Sequence, residues 1–165
     1  MKLLIAYASK TGSVREMATL LRDKIPNHEI TLADLALECP DPADFDYVVL
    51  GGAIRFNRIH KALRAYIERY RDALAQMPHT LFLCCAFADQ LEHYLAVAFP
   101  RELRESAESM EYFGGDLTLS RQRGLEKWIT RMLRNSILES EEEREVLPTL
   151  LPEHVRLLAD RLRKK

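Results

Sequence analysis

The sequence predicts an α/β fold, a single domain over residues 1–165 built on a doubly wound five-stranded parallel sheet in the order 2-1-3-4-5. Three observations carry this reading. Short runs that are apolar on both faces recur along the chain, as interior strands of a parallel sheet require. Segments with apolar residues at helical spacing separate those runs, the mark of βαβ units with right-handed crossovers. The first and third runs close in turns that contain glycine, where the chain must change direction sharply.

Each element follows in order. Lys2–Ala8 (KLLIAYA) is the first strand and ends in the polar turn Ser9-Lys10-Thr11-Gly12-Ser13. Val14, Met17, Ala18, Leu20, Leu21 and Ile25 then recur at helical spacing, until Pro26-Asn27 stops the helix. Glu29–Ala33 is a short second strand, and the prolines of Cys39-Pro40-Asp41-Pro42 mark a loop. Phe45–Gly52 (FDYVVLGG) is the third strand, and Lys61–Gln76 a long helix with Leu63, Tyr66, Ile67, Tyr70 and Leu74 on one stripe. Thr80–Phe87 is the fourth strand, Asp89–Ser106 a helix broken at Pro100, and Met110–Leu119 the fifth strand with a bend at Gly114-Gly115. Two helical segments follow, 124–140 and 152–163, separated by an acidic run over 139–145 that reads as a solvated linker.

Composition narrows the function. Hydrophobic residues make up 47% and charged residues 30%, which supports a packed core and argues against disorder. The formal net charge of -1 excludes a polybasic nucleic-acid binder and a strongly acidic carrier. The three cysteines, Cys39, Cys84 and Cys85, have no metal-ligand spacing, and adjacent Cys84 and Cys85 point to opposite faces of a strand. A reduced, cytoplasmic setting is expected. The apolar start is too short for a signal-peptide core, and no run approaches the ~20 residues of a membrane span. The five histidines are scattered and most are expected at the surface, and no nucleophile, acid–base pair or metal site stands out.

In an open parallel sheet, ligands bind past the carboxyl ends of the strands where the strand order reverses, here between the first and third strands. Ser9, Lys10, Thr11, Gly12, Ser13 and Val14 form the first turn there. Its amides, its hydroxyls and the positive end of the following helix suit a phosphate, although an ordinary helix start capped by Ser13 has the same composition. Neither GxxxxGK[ST] nor GxGxxG is present. The second turn holds Ala53, Ile54, Arg55, Phe56 and Asn57 ahead of Arg58, Ile59 and His60, a set able to cover a flat ring or simply to cap the sheet. Ala86, Phe87, Ala88 and Asp89 form the third loop, where Phe87 is either wall or core. An acidic pair after the first strand and an aspartate ending the third, as a phospho-receiver needs, are absent: Ser9-Lys10 and Gly51-Gly52 stand there.

Together these loops resemble the flavodoxin family. Ser9, Thr11 and Gly12 match its [ST]-x-T-G-x-[ST] phosphate loop, with Val14 in place of the last hydroxyl. The segment VVLGGAIRFNRIHKALRAYI is similar to the subfamily that includes menaquinone-dependent protoporphyrinogen oxidases, through Gly52, Ala53, Ile54, Arg55, Phe56 and His60. Arg15-Glu16, Ala18 and the region around Trp128 look similar too. The resemblance is strongest over residues 1–75 and weak after Phe87. It implies a flavodoxin-like fold with an additional C-terminal amphipathic helix. It also implies flavin mononucleotide (FMN), with the phosphate on residues 9–14 and the isoalloxazine between the 53–60 and 86–90 loops. The flavin would then carry the electron or hydride transfer.

Three roles stay open on the sequence: an oxidoreductase passing electrons from a porphyrinogen to a quinone, a flavin electron carrier with another redox partner, and a flavin-free module of the same fold. Carrier members are strongly acidic, unlike this chain. The stripe Leu125, Trp128, Ile129, Met132, Leu133 and Ile137, flanked by Arg123, Lys127, Arg131 and Arg134, suits either peripheral contact with a membrane surface or packing on the fold. Against the oxidase reading, Asp89, Gln90, Leu91 and Glu92 stand where the subfamily carries a basic segment.

Overall fold

The computed structural model describes residues 1–115 and 149–165. Five parallel strands, β1 (Lys2–Ala8), β2 (Glu29–Asp34), β3 (Tyr47–Ala53), β4 (His79–Cys84) and β5 (Ser109–Tyr112), form one sheet in the order β2-β1-β3-β4-β5. Helices α1 (Ser13–Asp23), α2 (Lys61–Gln76), α3 (Leu91–Ala98), α4 (Arg101–Ser106) and α5 (Pro152–Leu162) flank it.

Period-two alternation of the strand side chains builds two cores. Leu4, Val48, Leu50, Leu81 and Leu83 face α2, α3 and α4, where Leu63, Tyr66, Leu74, Phe99 and Leu103 cover them. Leu3, Ile5, Val49 and Phe82 face the opposite way, against Met17, Leu21, Val155, Leu158 and Leu162 of α1 and α5. Each fully buried Leu, Ile or Phe stabilises the fold by roughly 1.5–3 kcal/mol, so strands apolar on both sides feed both layers at once. The helix expected over 152–163 is α5, and its apolar stripe closes the second core.

Several boundaries differ from the sequence reading. β3 starts at Tyr47 rather than Phe45, because Phe45 closes the short turn Pro42–Asp44. β4 stops at Cys84 rather than Phe87, since Phe87 already leads the 3-10 turn Ala88–Gln90 that precedes α3. Pro100 separates α3 from α4, as expected. β5 ends at Tyr112, and Gly114, at φ 78, turns the chain out of the sheet into an antiparallel bridge with Leu150. A side chain at Gly114 would meet the Thr149 carbonyl, so only glycine fits. The rest of the expected fifth strand and the segment 124–140 lie outside the described residues.

One histidine is an exception to the expected surface positions. His79 is 0% exposed, with ring nitrogens 2.9 Å from the Met77 carbonyl oxygen and 3.0 Å from that of Leu103. A carbonyl oxygen within hydrogen-bond distance of each nitrogen gives the ring N–H an acceptor in the core at the start of β4.

Candidate functional site

β1 and β3 are neighbours, but the chain leaves them for opposite faces of the sheet, through α1 and α2. That divergence opens a crevice beyond their carboxyl ends.

One wall is the turn after β1. The Gly12 amide donates to Ser9 Oγ at 3.0 Å, which curls the turn, and the first helical bond of α1 runs from Glu16 N to the Gly12 carbonyl at 2.9 Å. Gly12 is the cap of α1, at φ 91, with no side-chain hydrogen bond to the helix start. The cap is therefore Gly12 and not Ser13, which is buried as the first helical residue. A Cβ built on Gly12 meets nothing within 4 Å, so the space beside this backbone is open. Val14 packs in the core with Met17 and Leu21, which explains an apolar residue where the resembled motif has a hydroxyl. Behind the turn, Arg15 Nη2 lies 2.8 Å from Asp34 Oδ2, and Asp34 Oδ1 accepts from the Ala36 amide at 3.1 Å. Asp34 and Tyr7 together hold the Arg15 guanidinium above its ordinary range.

The other wall is the segment after β3. Ile54 N donates to the Cys84 carbonyl at 3.0 Å, which ties the segment to the sheet. Arg55 and Arg58 exchange two backbone hydrogen bonds, at 2.9 and 3.0 Å, around a two-residue tip. Phe56 at φ 49 and Asn57 at φ 57 occupy that tip, the left-handed pattern of a type I′ hairpin. Asn tolerates this region, whereas Phe is strained by about 1–2 kcal/mol. The Phe56 ring is 50% exposed, so burial does not offset the strain. Ile59, by contrast, packs into the core, and His60 Nδ1 accepts from Ala62 N at 3.2 Å and caps α2.

Between these walls lies a cleft of about 330 Å³. Ala8 and Lys10 line it from the first turn, Ala53, Arg55 and Phe56 from the second, followed by the stretch 58–61. No carboxylate is among the lining residues.

The third loop, like Ser9, Thr11, Gly12, Ser13, Val14, Ile54 and Asn57, supplies no lining residue of the cleft. Ala86 and Phe87 are half-buried, Ala88 and Asp89 are exposed, and none of the four lines the cleft. Its connection to the hairpin is a hydrogen bond that the sequence reading missed, His93 Nε2 to Asn57 Oδ1 at 3.0 Å. No motif signals this pair, because the intervening 3-10 turn sets the register of α3. Beneath the loop, burial pushes the Cys85 thiol up to about 11, opposed by a backbone hydrogen bond at Phe87 and reinforced by the Asp89 charge. This thiol stays protonated at neutral pH and is a poor nucleophile. Among the described residues no group of three His, Cys, Asp or Glu side chains is arranged to hold a metal ion.

An open parallel sheet in the order β2-β1-β3-β4-β5, with helices on both faces and a cleft at the β1/β3 reversal, defines a protein of the doubly wound α/β class. The family described as Flavodoxin domain matches residues 4–144, and the chain belongs to it. Among curated proteins, the chain is similar to protoporphyrinogen IX dehydrogenase [quinone] of Escherichia coli strain K12, at 30% identity over 86 residues. That match covers 50% of this chain and 47% of the relative, so the chain spans about half the length of the curated relatives it matches. The same protein of Escherichia coli O157:H7 matches equally, at 30% identity over 86 residues. Among solved structures, Fusobacterium nucleatum flavodoxin bound to flavin mononucleotide superposes with a TM-score of 0.52 at 9% identity, covering 99% of this chain and 97% of that one. The flavodoxin of Streptococcus pneumonia TIGR4 gives 0.50 at 12% identity, covering 83% and 100%. At these identities the likeness is one of fold. No helix among the described residues is long and apolar enough to cross a membrane.

Proposed function

We propose that this chain is an FMN-binding oxidoreductase domain, with the phosphate held at residues 9–14 and the flavin ring against residues 53–57. The observation that carries the reading is the cleft that Lys10 of the first turn shares with the exposed Phe56, two residues ahead of the positive-φ, uncrowded backbone of Gly12. A backbone that only glycine adopts easily, at the start of a helix, lets amides approach an anion closely. Phe56 offers a flat apolar face to a ring, and the hairpin that presents it is pinned to β4 through Ile54. Bound FMN would supply the electron or hydride transfer. The chain's own residues bind it, orient it and set the charge around it.

For the substrate, we infer a porphyrinogen oxidised with a quinone as acceptor. The support is the curated relative, whose printed name carries that activity and which matches half of this chain. The loop after β4 favours no substrate by itself, since Asp89 and Glu92 are exposed and acidic.

The test begins with the absorption spectrum of the purified protein, with and without added FMN, and mass identification of the extracted flavin. A yellow protein that releases FMN is the expected result. A colourless protein that does not take up FMN leaves only the fold. Quinone-dependent formation of fluorescent protoporphyrin from its reduced precursor is then expected above the uncatalysed rate. FMN binding without that product leaves an electron carrier with another redox partner.

A further inference from the structure

Among the described residues some arginines meet a carboxylate and others do not, Arg69, Arg104 and Arg156 among the latter. Arg15, Arg22, Arg71, Arg101, Arg161 and Arg163 each meet a carboxylate. Arg58 and Arg64, with Lys61 between them, do not: among the described residues none of the three has a carboxylate at ion-pair distance. All three are exposed. Arg58 closes the hairpin, Lys61 opens α2, and Arg64 follows one turn on, so they continue one another along a single stripe. Glu68, a further turn along, ends it. Asp89 and Glu92 belong to the segment after β4 and do not line the cleft.

This stripe begins at the cleft, where Arg58 and Lys61 are lining residues, and leaves it along the helix surface. Three helical residues advance about 4.5 Å, and Arg64 extends the stripe past the residues that line the cleft. Unpaired cations spread along a surface suit several carboxylates spread along another surface. The exposed ring of Phe56 adds an apolar contact at the head of the stripe. A near-neutral chain thus concentrates positive charge at the mouth of its crevice.

We propose that Arg58, Lys61 and Arg64, with Phe56 at their head, dock a protein partner that presents a carboxylate-rich patch, and bring it to the mouth of the cleft. The purpose of this docking, access to a bound flavin, rests on the function proposed above. The surface itself rests on charge and exposure alone.

The experiment titrates the full chain with a plant-type [2Fe–2S] ferredoxin as the acidic protein probe, at about 20 mM and about 200 mM salt. Binding at low salt that weakens about tenfold or more at high salt is the expected result. Lys61→Glu with Arg64→Glu is expected to weaken low-salt binding about tenfold or more. Arg156→Glu, on α5 across the sheet, is expected to change it less than about twofold. Melting curves check that the variants remain folded. Three results overturn the proposal: no complex at low salt, equal losses in the stripe and Arg156 variants, or a single-stranded oligonucleotide bound as tightly as the ferredoxin. Flavin absorbance is read on the same samples. A yellow protein that does not dock removes the surface and keeps the flavin reading. A colourless protein that docks keeps the surface and removes the flavin reading.

Discussion

The two ends of the sheet are built on opposite plans. At the amino end, polar groups close on one another. Tyr47 Oη meets Thr80 Oγ1 at 2.8 Å and donates to Glu108 at 3.1 Å, Thr80 Oγ1 meets Ser109 Oγ at 3.1 Å, and Lys165 pairs with Glu108. His79 has a carbonyl at each ring nitrogen beside this network. At the carboxyl end, glycine caps a helix over open space, a phenylalanine stands at positive φ, and Arg58, Lys61 and Arg64 stay without carboxylates. Satisfied polar groups stabilise, whereas strain and unpaired charge persist where a ligand or partner can use them. The contrast teaches that this fold divides its work between its two ends.

Variants at each end sharpen or break that contrast. The largest expected effect is at the closed end: His79→Ala leaves a cavity and removes the ring donor from between two buried carbonyls, costing about 3 kcal/mol of unfolding free energy. Urea titration measures the loss, and FMN affinity should barely change. A large loss of affinity with unchanged stability would reverse the assignment of the two ends. Gly12→Val should do the opposite and weaken FMN binding about tenfold or more, because a branched side chain fills the open space and resists φ 91. Fluorescence quenching of free FMN reads this directly, and unchanged affinity would show that the phosphate sits elsewhere.

Smaller effects test the hairpin and the buried network. Phe56→Asn relieves the left-handed strain at the tip and should raise stability by about 0.5–1 kcal/mol while weakening flavin binding. A thermal melt together with the FMN titration separates the two consequences. At the amino end, burial pushes the Tyr47 hydroxyl up to about 12 from an ordinary 10.0, with the Glu108 charge adding and the Thr80 hydrogen bond opposing. The fold thus favours the neutral phenol, so its contribution is fully present below pH 10.0 and is lost as pH rises toward 12. Tyr47→Phe should flatten that alkaline decline in chemical unfolding measured across this range. Near neutral pH its effect is the smallest of the four.

Much of the carboxyl end was legible in the chain because it lies in two short contiguous segments. The turn 9–14 and the segment 53–60 each follow a strand that is recognisable by its apolar run, and the strand order brings them together. The residues 86–89 were legible as a loop, though not where it starts. The end of β4 at Cys84 depends on where β5 stops pairing, which is settled by Gly114 meeting Leu150 from a distant part of the chain. The His79 core position was hidden for the same reason, since one of its partners, the Leu103 carbonyl, belongs to α4.

By itself the sequence determined the alternation of strands and helices, the sheet order and the identity of the turns at the reversal point, because these follow from local periodicity and chain connectivity. Only the tertiary structure decided that Phe56 is exposed on a strained tip, that Asn57 meets His93, that Asp34 holds Arg15, and that Arg58, Lys61 and Arg64 stand without carboxylates. Those are relations between side chains far apart in sequence or set by backbone angles, and no local pattern encodes them.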